Sequence, residues 1–502
     1  MSIDLSLDRL QHATQYLPTY TRPTCHVAGT NGKGSVTAII MSILRSTSPA
    51  LNIGRYNSPH LIKLTDCIII NDEVVDDDLY NSVRSEVERV NVKHDTKLTS
   101  FEILTLTALQ IFERAQVDVA VVEVGMGGRL DATNIIPDDA ILVSALTNVD
   151  LDHQAFLGST VSAIATEKIG IARRGKPFVI GPQKHHEVVE VGQKILLDNG
   201  SERVPLLSVR ELGVLPPLRF SLSLSEFHPP PENKIAISFP SFPDPITADL
   251  PLRGDHQLEN VATALTVISA LFNKRLPNAN FAELLTPSAI CRGISRIHWK
   301  GRLSFGRLSS PKPLPVLIDG AHNSASATAL AKYVSQILST STDPTIDLSY
   351  ILALSNSPPK TPHDVLSLIL PLNLPDELKE RIKLHIALLS FSPPDGMPWI
   401  RIVPPLEMAD VVSKLIPGVD MWIAAEDTQP NKSLSAAVEW VANRTQDAGL
   451  VIVAGSLYLV SDFYRAYGSA EKEITTFLWQ FIVKARWSAW LLTSLEINGI
   501  IR

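Results

Sequence analysis

Cysteine is almost missing from this chain. Cys25, Cys67 and Cys291 are three scattered thiols in 502 residues, too few and too far apart for a disulfide framework or a zinc cage, and they fit a reducing compartment. Aromatic residues contribute only 6%, and basic charge is in deficit, with a formal net charge of -7. Without a basic stripe interleaved with aromatics, binding to a nucleic-acid backbone is excluded. Uninterrupted apolar runs of membrane-spanning length are also absent: the apolar tail, 471–502, is broken by Lys484 and Arg486, too early for a span of about 20 residues. The start, MSIDLSLDRL, carries Asp4 and Asp8 before any apolar run, which is wrong for a signal peptide and too acidic for a transit peptide. The expectation is a cytoplasmic monomer, with a mitochondrial pool left open, that binds neither nucleic acid nor membrane.

What is present is ample core. At 45% hydrophobic and 19% charged, the chain can fill more than one domain. Apolar strand-like runs (TCHVAG, CIIIN at 67–71, VDVAVVEVG at 117–125, AILVSALTNV at 140–149) alternate with helix-like stretches, the pattern of a parallel sheet covered on both faces. Thr99 and Glu102 stand at capping-box spacing before an amphipathic helix. From 205 to 251 ten prolines suggest an irregular excursion instead of another sheet layer. A linker composition at 299–315 precedes VLIDGAHN, IDLSYILALSNS, IKLHIALLSF and GLVIVAGSLYLV, which read as strands of a second α/β domain.

The stretch HVAGTNGKGSV, residues 26–36, carries the chemistry. It departs from the Walker A spacing: Gly29 precedes Gly32 by three residues, and Gly34 is inserted between Lys33 and Ser35. The chemical parts remain, namely glycines that let backbone N–H groups approach phosphate, a lysine for the outer phosphates, a hydroxyl for a metal, and a helix N-terminus behind them. Asn31, Gly32, Lys33, Gly34 and Ser35 are therefore the expected ATP phosphate contacts. The alternative is a tight strand-to-helix turn, which gives Lys33 no purpose.

Together with NSPHL (57–61), VVEVGMGGRLDATN (121–134), LDHQAFLG (151–158), EKIGI (167–171), HQLENVATAL (256–265), WKGRL (299–303), IDGAHN (318–323) and AGSLYLV (454–460), this stretch resembles the folylpolyglutamate synthase and dihydrofolate synthase group of the Mur ligase superfamily. The nine blocks keep the family's order from residue 26 to 460. The resemblance implies a P-loop-type, mostly parallel α/β ATPase and pterin-binding domain (1–298), a smaller Rossmann-like α/β glutamate-ligase domain (299–470), and an atypical tail (471–502) without assigned role. It also implies an ATP-dependent amide ligase, in which a carboxylate is phosphorylated and the acyl phosphate is attacked by L-glutamate.

Carried over by resemblance, Ser58, Glu123 and His153 hold Mg2+, although His153 alone would read as a helix cap or a satisfied partner. Lys168 corresponds to a lysine that the family carries as a carbamate; its other reading is a surface lysine beside Glu167. Asn260, Arg302 and Asp319 are implied adenosine contacts, and His322 lies near the phosphates as a catalytic group with Lys33 and Lys168. A potassium ion is left unassigned. Thr99, Phe101, Glu102, Leu130, Asp131 and Ala132 are the implied pterin contacts, with Phe101 alternatively a core residue and Glu102 only a capping-box partner. LTDCIIIND (64–72) and DGMPWI (395–400) resemble the monofunctional dihydrofolate synthases of eukaryotes, so dihydropteroate is the expected acceptor. A folate acceptor, as in a folylpolyglutamate synthase, is the first alternative, and a P-loop ATP module without ligase activity the second.

Overall fold

The computed structural model describes residues 6–213, 221–225, 227–394, 397 and 400–468; the tail 471–502 and most of DGMPWI lie outside the described residues. The first body is built on eight strands: β1 (Thr24–Ala28), β2 (Ile53–Tyr56), β3 (Ile68–Ile70), β4 (Glu73–Val74), β5 (Val119–Glu123), β6 (Ile141–Leu146), β7 (Pro177–Ile180) and β8 (Glu202–Val204). Their order is β4-β3-β2-β5-β1-β6-β7-β8. Only the β2–β3 and β3–β4 pairs are antiparallel. β1 is flanked by β5 and β6, both parallel to it, with Val27 opposite Glu123 and Ala145. The loops leaving three adjacent strands thus open at one sheet edge, the place where α/β sheets bind ligands.

Local sequence explains the helices around this edge. β1 feeds α1 (Lys33–Arg45) through Gly32, whose φ of 91° is a left-handed conformation that only glycine adopts cheaply. The expected capping box is present: Thr99 Oγ1 accepts from Glu102 N and Glu102 Oε2 accepts from Thr99 N at 2.7 Å, starting α2 (Ser100–Arg114). Further on come α3 (Val161–Ile169), begun by the Thr160 cap, and α4 (His256–Leu271).

Two expectations need correction. The 205–251 stretch does form a sheet, of β9 (Val209–Glu211), β10 (Asn233–Ile237) and β11 (Ile246–Leu250), paired antiparallel. Strand β11 alternates buried and exposed residues, and Ile235, Ile237, Ile246, Ala248 and Leu250 enter the same core as α1 and α4. All ten prolines fall outside these three strands, where a missing N–H costs no ladder bond. The supposed linker composition at 299–315 holds a hairpin, β12 (Ser304–Leu308) with β13 (Leu314–Ile318), its Ser/Pro/Lys residues making the turn.

That hairpin is the edge of the second sheet. With β14 (Ile346–Leu352), β15 (Ile382–Leu388), β16 (Asp420–Ile423) and β17 (Gly449–Ala454) the order is β12-β13-β17-β14-β15-β16, parallel except for the hairpin. Helices α5 (Ser324–Thr340) and α6 (Leu457–Tyr467) flank it. Leu222 and Phe227 belong to this second core, and Leu222 N donates to Asp343 Oδ2 at 2.6 Å, so a stretch just before β10 crosses to the second body. Among the described residues no helix is long and apolar enough to cross a membrane.

Tyr350, on β14, is fully buried and its hydroxyl has no partner among the described residues. A buried unpaired hydroxyl is a standing desolvation cost. Tyr350→Phe is therefore expected to keep or raise stability, by up to about 1 kcal/mol, as read from the thermal midpoint of purified protein; a clear fall would show that the hydroxyl has a partner.

Candidate active site

The site begins with a carboxylate that needs company. Glu123 ends β5, opposite Val27 of β1, and is only 6% exposed. Burial pushes its pKa up, and the Lys33 ammonium, the Asn57 side chain, Arg302 and the Ser58 backbone amide pull it back. Lys33 Nζ lies 3.7 Å from Glu123 Oε1 and donates to Thr30 O at 3.3 Å. Asn57 Nδ2 bridges Glu123 Oε2 and Thr37 Oγ1, both at 2.7 Å. The phosphate-loop lysine is thus held over the carboxylate instead of waving from an exposed loop.

Two orphaned atoms sit in this network. Among the described residues, Asn57 Oδ1 is a buried acceptor without a partner, and Asn31 Nδ2 is a buried donor without one. An unmet acceptor beside a carboxylate and an unmet donor on the glycine loop suit a cation and an anion respectively. Among the described residues no group of three or more His, Cys, Asp or Glu side chains makes a metal cage, so a metal here would need phosphate or water oxygens to complete its shell. Hard oxygen donors of this type fit Mg2+.

His153, the third expected ligand, caps a short helix with φ 50° and is half exposed. Its pKa is lowered, first by desolvation and then by the cations Lys168, Lys33 and Lys360 against the pull of Asp152, so the imidazole is neutral and free to ligate. Lys168, near the end of α3, is only 3% exposed and donates to Gly29 O at 2.9 Å. The reading of Lys168 as a surface lysine is therefore overturned; it is Glu167 that faces outward, paired with Arg129. Burial, helped by Lys33, drops the Lys168 amine to about 7.

The second body closes the other side. Asn323 Nδ2 donates to Asn31 Oδ1 at 3.1 Å, tying IDGAHN to the phosphate loop. Next to it His322 Nδ1 meets Gly320 O at 3.2 Å, and Lys360 Nζ donates to His322 O. Burial, then the Lys360 charge, takes His322 down to about 4. Despite burial, Asp152 is held below its ordinary value, by the His153 backbone amide that donates to its Oδ1 at 3.0 Å and by the Lys360 charge. Asp319 Oδ2 accepts from Leu303 N at 2.8 Å and is pushed up to about 6 by burial, with Arg302 opposing. Asn260 lies against Gly32: a Cβ on that glycine would come 2.2 Å from Asn260 Oδ1.

The expected pterin residues gather at a neighbouring loop. A Cβ on Gly125 would strike Phe101 Cζ at 2.3 Å and come within 3.1 Å of Asp131 Oδ2, so ring and carboxylate converge over bare backbone. Phe101 is half-buried, and Ala132 is buried nearby in the core that includes Leu10 and Leu106. Both acids are heavily engaged. Glu102 serves its capping box and the Arg9 guanidinium at 3.2 Å. Asp131 accepts from Met126 N at 2.8 Å and from Thr133 N and Oγ1, while Thr133 Oγ1 also meets His26 Nε2 at 2.8 Å. Thr99 caps α2, and Leu130 is half-buried on the loop.

Sequence reasoning missed Asn57, Asp152, Asn323 and Lys360. The first three sit inside quoted blocks, beside residues that were chosen; Lys360 comes from NSPPKTPHD and becomes a site residue only through the fold.

Comparison with known proteins follows the same line. The family described as dihydrofolate synthetase, C-terminal domain, matches residues 302–466. The dihydrofolate synthetase of Saccharomyces cerevisiae is 31% identical over 93% of this chain and 99% of its own length. The chain belongs to the dihydrofolate synthetase and folylpolyglutamate synthase family. The probable dihydrofolate synthetase of Schizosaccharomyces pombe matches equally well, at 31% over 93% and 99%. Among solved structures, Mycobacterium tuberculosis folylpolyglutamate synthase complexed with ADP superposes with a TM-score of 0.70 at 25% identity, over 92% of this chain and 94% of that one. Enzymes of this family are ATP-dependent ligases that form C–N bonds.

Because Lys33 compensates a buried acid, Lys33→Ala is expected to do more than remove a phosphate contact: it takes the nearest cation from the buried Glu123 and leaves it only Asn57, the Ser58 amide and the more distant Arg302, a loss of up to roughly 3 kcal/mol. The thermal midpoint should fall, and Glu123→Gln in the same chain should recover most of it. An unchanged midpoint in Lys33→Ala would deny the pairing.

Proposed function

We propose that this protein is a dihydrofolate synthetase: it joins L-glutamate to 7,8-dihydropteroate at the expense of ATP, through an acyl phosphate. The observation that carries the reading is the match, over nearly the full length of both chains, to two dihydrofolate synthetases, and the geometry supports it. Lys33, Asn31 and the amides at the start of α1 hold the phosphates, with Asn260, Arg302 and Asp319 around the adenosine. Glu123, with Ser58 and His153, would hold a divalent metal, which neutralises charge on the phosphates as the γ-phosphoryl group passes to the acceptor carboxylate. Phe101 offers a face for the pterin over Gly125, and Asp131 and Glu102, their lone pairs largely committed, chiefly shape the loop around it.

The glutamate amine must then attack the acyl phosphate as a neutral nucleophile. His322 remains neutral at working pH; with its Nδ1–H donated to Gly320 O, its Nε2 lone pair can accept a hydrogen bond from the incoming amine and orient it, while burial and Lys360 leave it too weak a base to keep the proton. Burial lowers the Lys168 amine to about 7, which gives it access to the neutral form of lysine that adds CO2, and the resulting carbamate would turn a cation among Lys33 and Lys360 into an anion able to support a metal. Scarce cysteine supports a cytoplasmic enzyme.

Two outcomes are expected. Purified protein with Mg2+, ATP and L-glutamate should release phosphate in step with dihydropteroate consumption and add glutamate to tetrahydrofolate poorly; a preference for tetrahydrofolate would make it a folylpolyglutamate synthase instead. The Lys168 amine is protonated as pH falls through about 7, so carbamate formation and activity should decline below that pH and recover with added bicarbonate. Lys168→Ala should lose activity at every pH; a variant as active as the parent would remove the carbamate from the account.

A further inference from the structure

Gly34, the residue that spoils the Walker A spacing, has no backbone reason to be glycine. It lies in the first turn of α1 and is not among the residues with positive φ, so alanine would suit the helix better. What forbids a side chain is a residue far away in sequence: a Cβ on Gly34 would come 2.5 Å from Trp299 Cζ2 and 3.3 Å from its Cε2, and the three nearest atoms are all of this indole. The face of the same ring carries the Arg55 guanidinium, 4.8 Å from the ring centroid. Arg55 Nε is buried without a hydrogen-bond partner among the described residues, so the stack on Trp299 is a main tie of this cation.

Trp299 opens the segment that joins the two bodies, and the residues after it are pinned to the second. Gly301 N donates to Tyr464 Oη at 3.2 Å, Gly320 N to Gly301 O at 2.9 Å, and Leu303 N to Asp319 Oδ2 at 2.8 Å. Gly301 and Leu303 take φ of 70° and 48°; for a leucine that conformation is strained, and only such pinning holds it. Between them sits Arg302, whose Nη1 folds back on Gly301 O at 2.9 Å.

We propose that Trp299 is a positioning residue for the nucleotide: its indole edge, seated on Gly34, locks the phosphate-loop helix to the linker that carries Arg302. The inserted glycine is then a seat for the linker, and the two halves of the nucleotide site are held in one register by an indole that is not itself one of the phosphate or adenosine contacts. This rests on the stretch 26–36 binding nucleotide.

The test uses the full chain and ADP affinity by calorimetry. Phenylalanine at 299 keeps an aromatic face for Arg55 but lacks the benzo edge that meets Gly34. Gly34→Ala is expected to weaken ADP about tenfold or more, and Trp299→Phe in the same chain to restore most of that loss, a strongly non-additive pair. Trp299→Phe alone should raise KM for ATP several-fold and leave KM for dihydropteroate unchanged, a split that a merely structural contact would not produce. Equal losses from Gly34→Ala in both backgrounds, or no loss at all, would overturn the proposal. If Gly34→Ala fails to fold, recovery of folding in the double variant supports the seat and failure to recover overturns it. Absence of ADP binding by the parent chain would instead overturn the nucleotide-loop reading itself.

Discussion

A carboxylate at the end of a buried parallel strand cannot stand alone, and much of this site is organised by the groups that answer Glu123. Its cost of burial is offset by Lys33, which must then sit at the first residue of α1, and by Asn57, which fixes the loop after β2 and ties it to Thr37 of the same helix. Three neighbouring strands and one helix N-terminus are thereby locked into one edge. The same compensation leaves one acceptor, Asn57 Oδ1, and one donor, Asn31 Nδ2, without partners among the described residues. A metal–phosphate pair is the ligand class that supplies both partners at once.

The second body adds positive charge to this edge. Lys33, Lys168, Lys360 and Arg302 gather around Glu123, Asp152 and Asp319, and their mutual influence runs through the perturbed ionisation of Asp152, His153 and Lys168. Lys33, Arg302 and Lys360 supply the positive charge that a polyanion needs there. The direct tie from Asn323 to Asn31 means that the second body completes the surroundings of the 26–36 loop instead of merely approaching them.

Much of the fold was legible because it is written locally. The β1–loop–α1 unit, the Thr99–Glu102 capping box and the apolar strands of both sheets follow from spacing and runs within about a dozen residues. The 205–251 sheet was not, because ten prolines dominate the composition while the short alternating runs NKIAI and ITADL carry the strands. The hairpin of β12 and β13 was hidden in the same way by its own turn. In the candidate site, Lys33 and Glu123 could be nominated from motifs, but that each answers the other's charge could not. For Lys168 a surface position beside Glu167 stood as the alternative to the carbamate reading, and only helix orientation shows that one points inward and the other outward. Contacts such as Asn31 with Asn323 and Gly34 with Trp299 join residues hundreds apart, and no periodicity records them.

The central claim is that this edge transfers the γ-phosphoryl group to the acceptor carboxylate before the amide forms. Dihydropteroate labelled with 18O in its carboxylate, turned over with Mg2+, ATP and L-glutamate, tests it most directly. An acyl phosphate requires one 18O atom to leave in each inorganic phosphate released; phosphate free of label, with dihydrofolate still formed, would contradict the account.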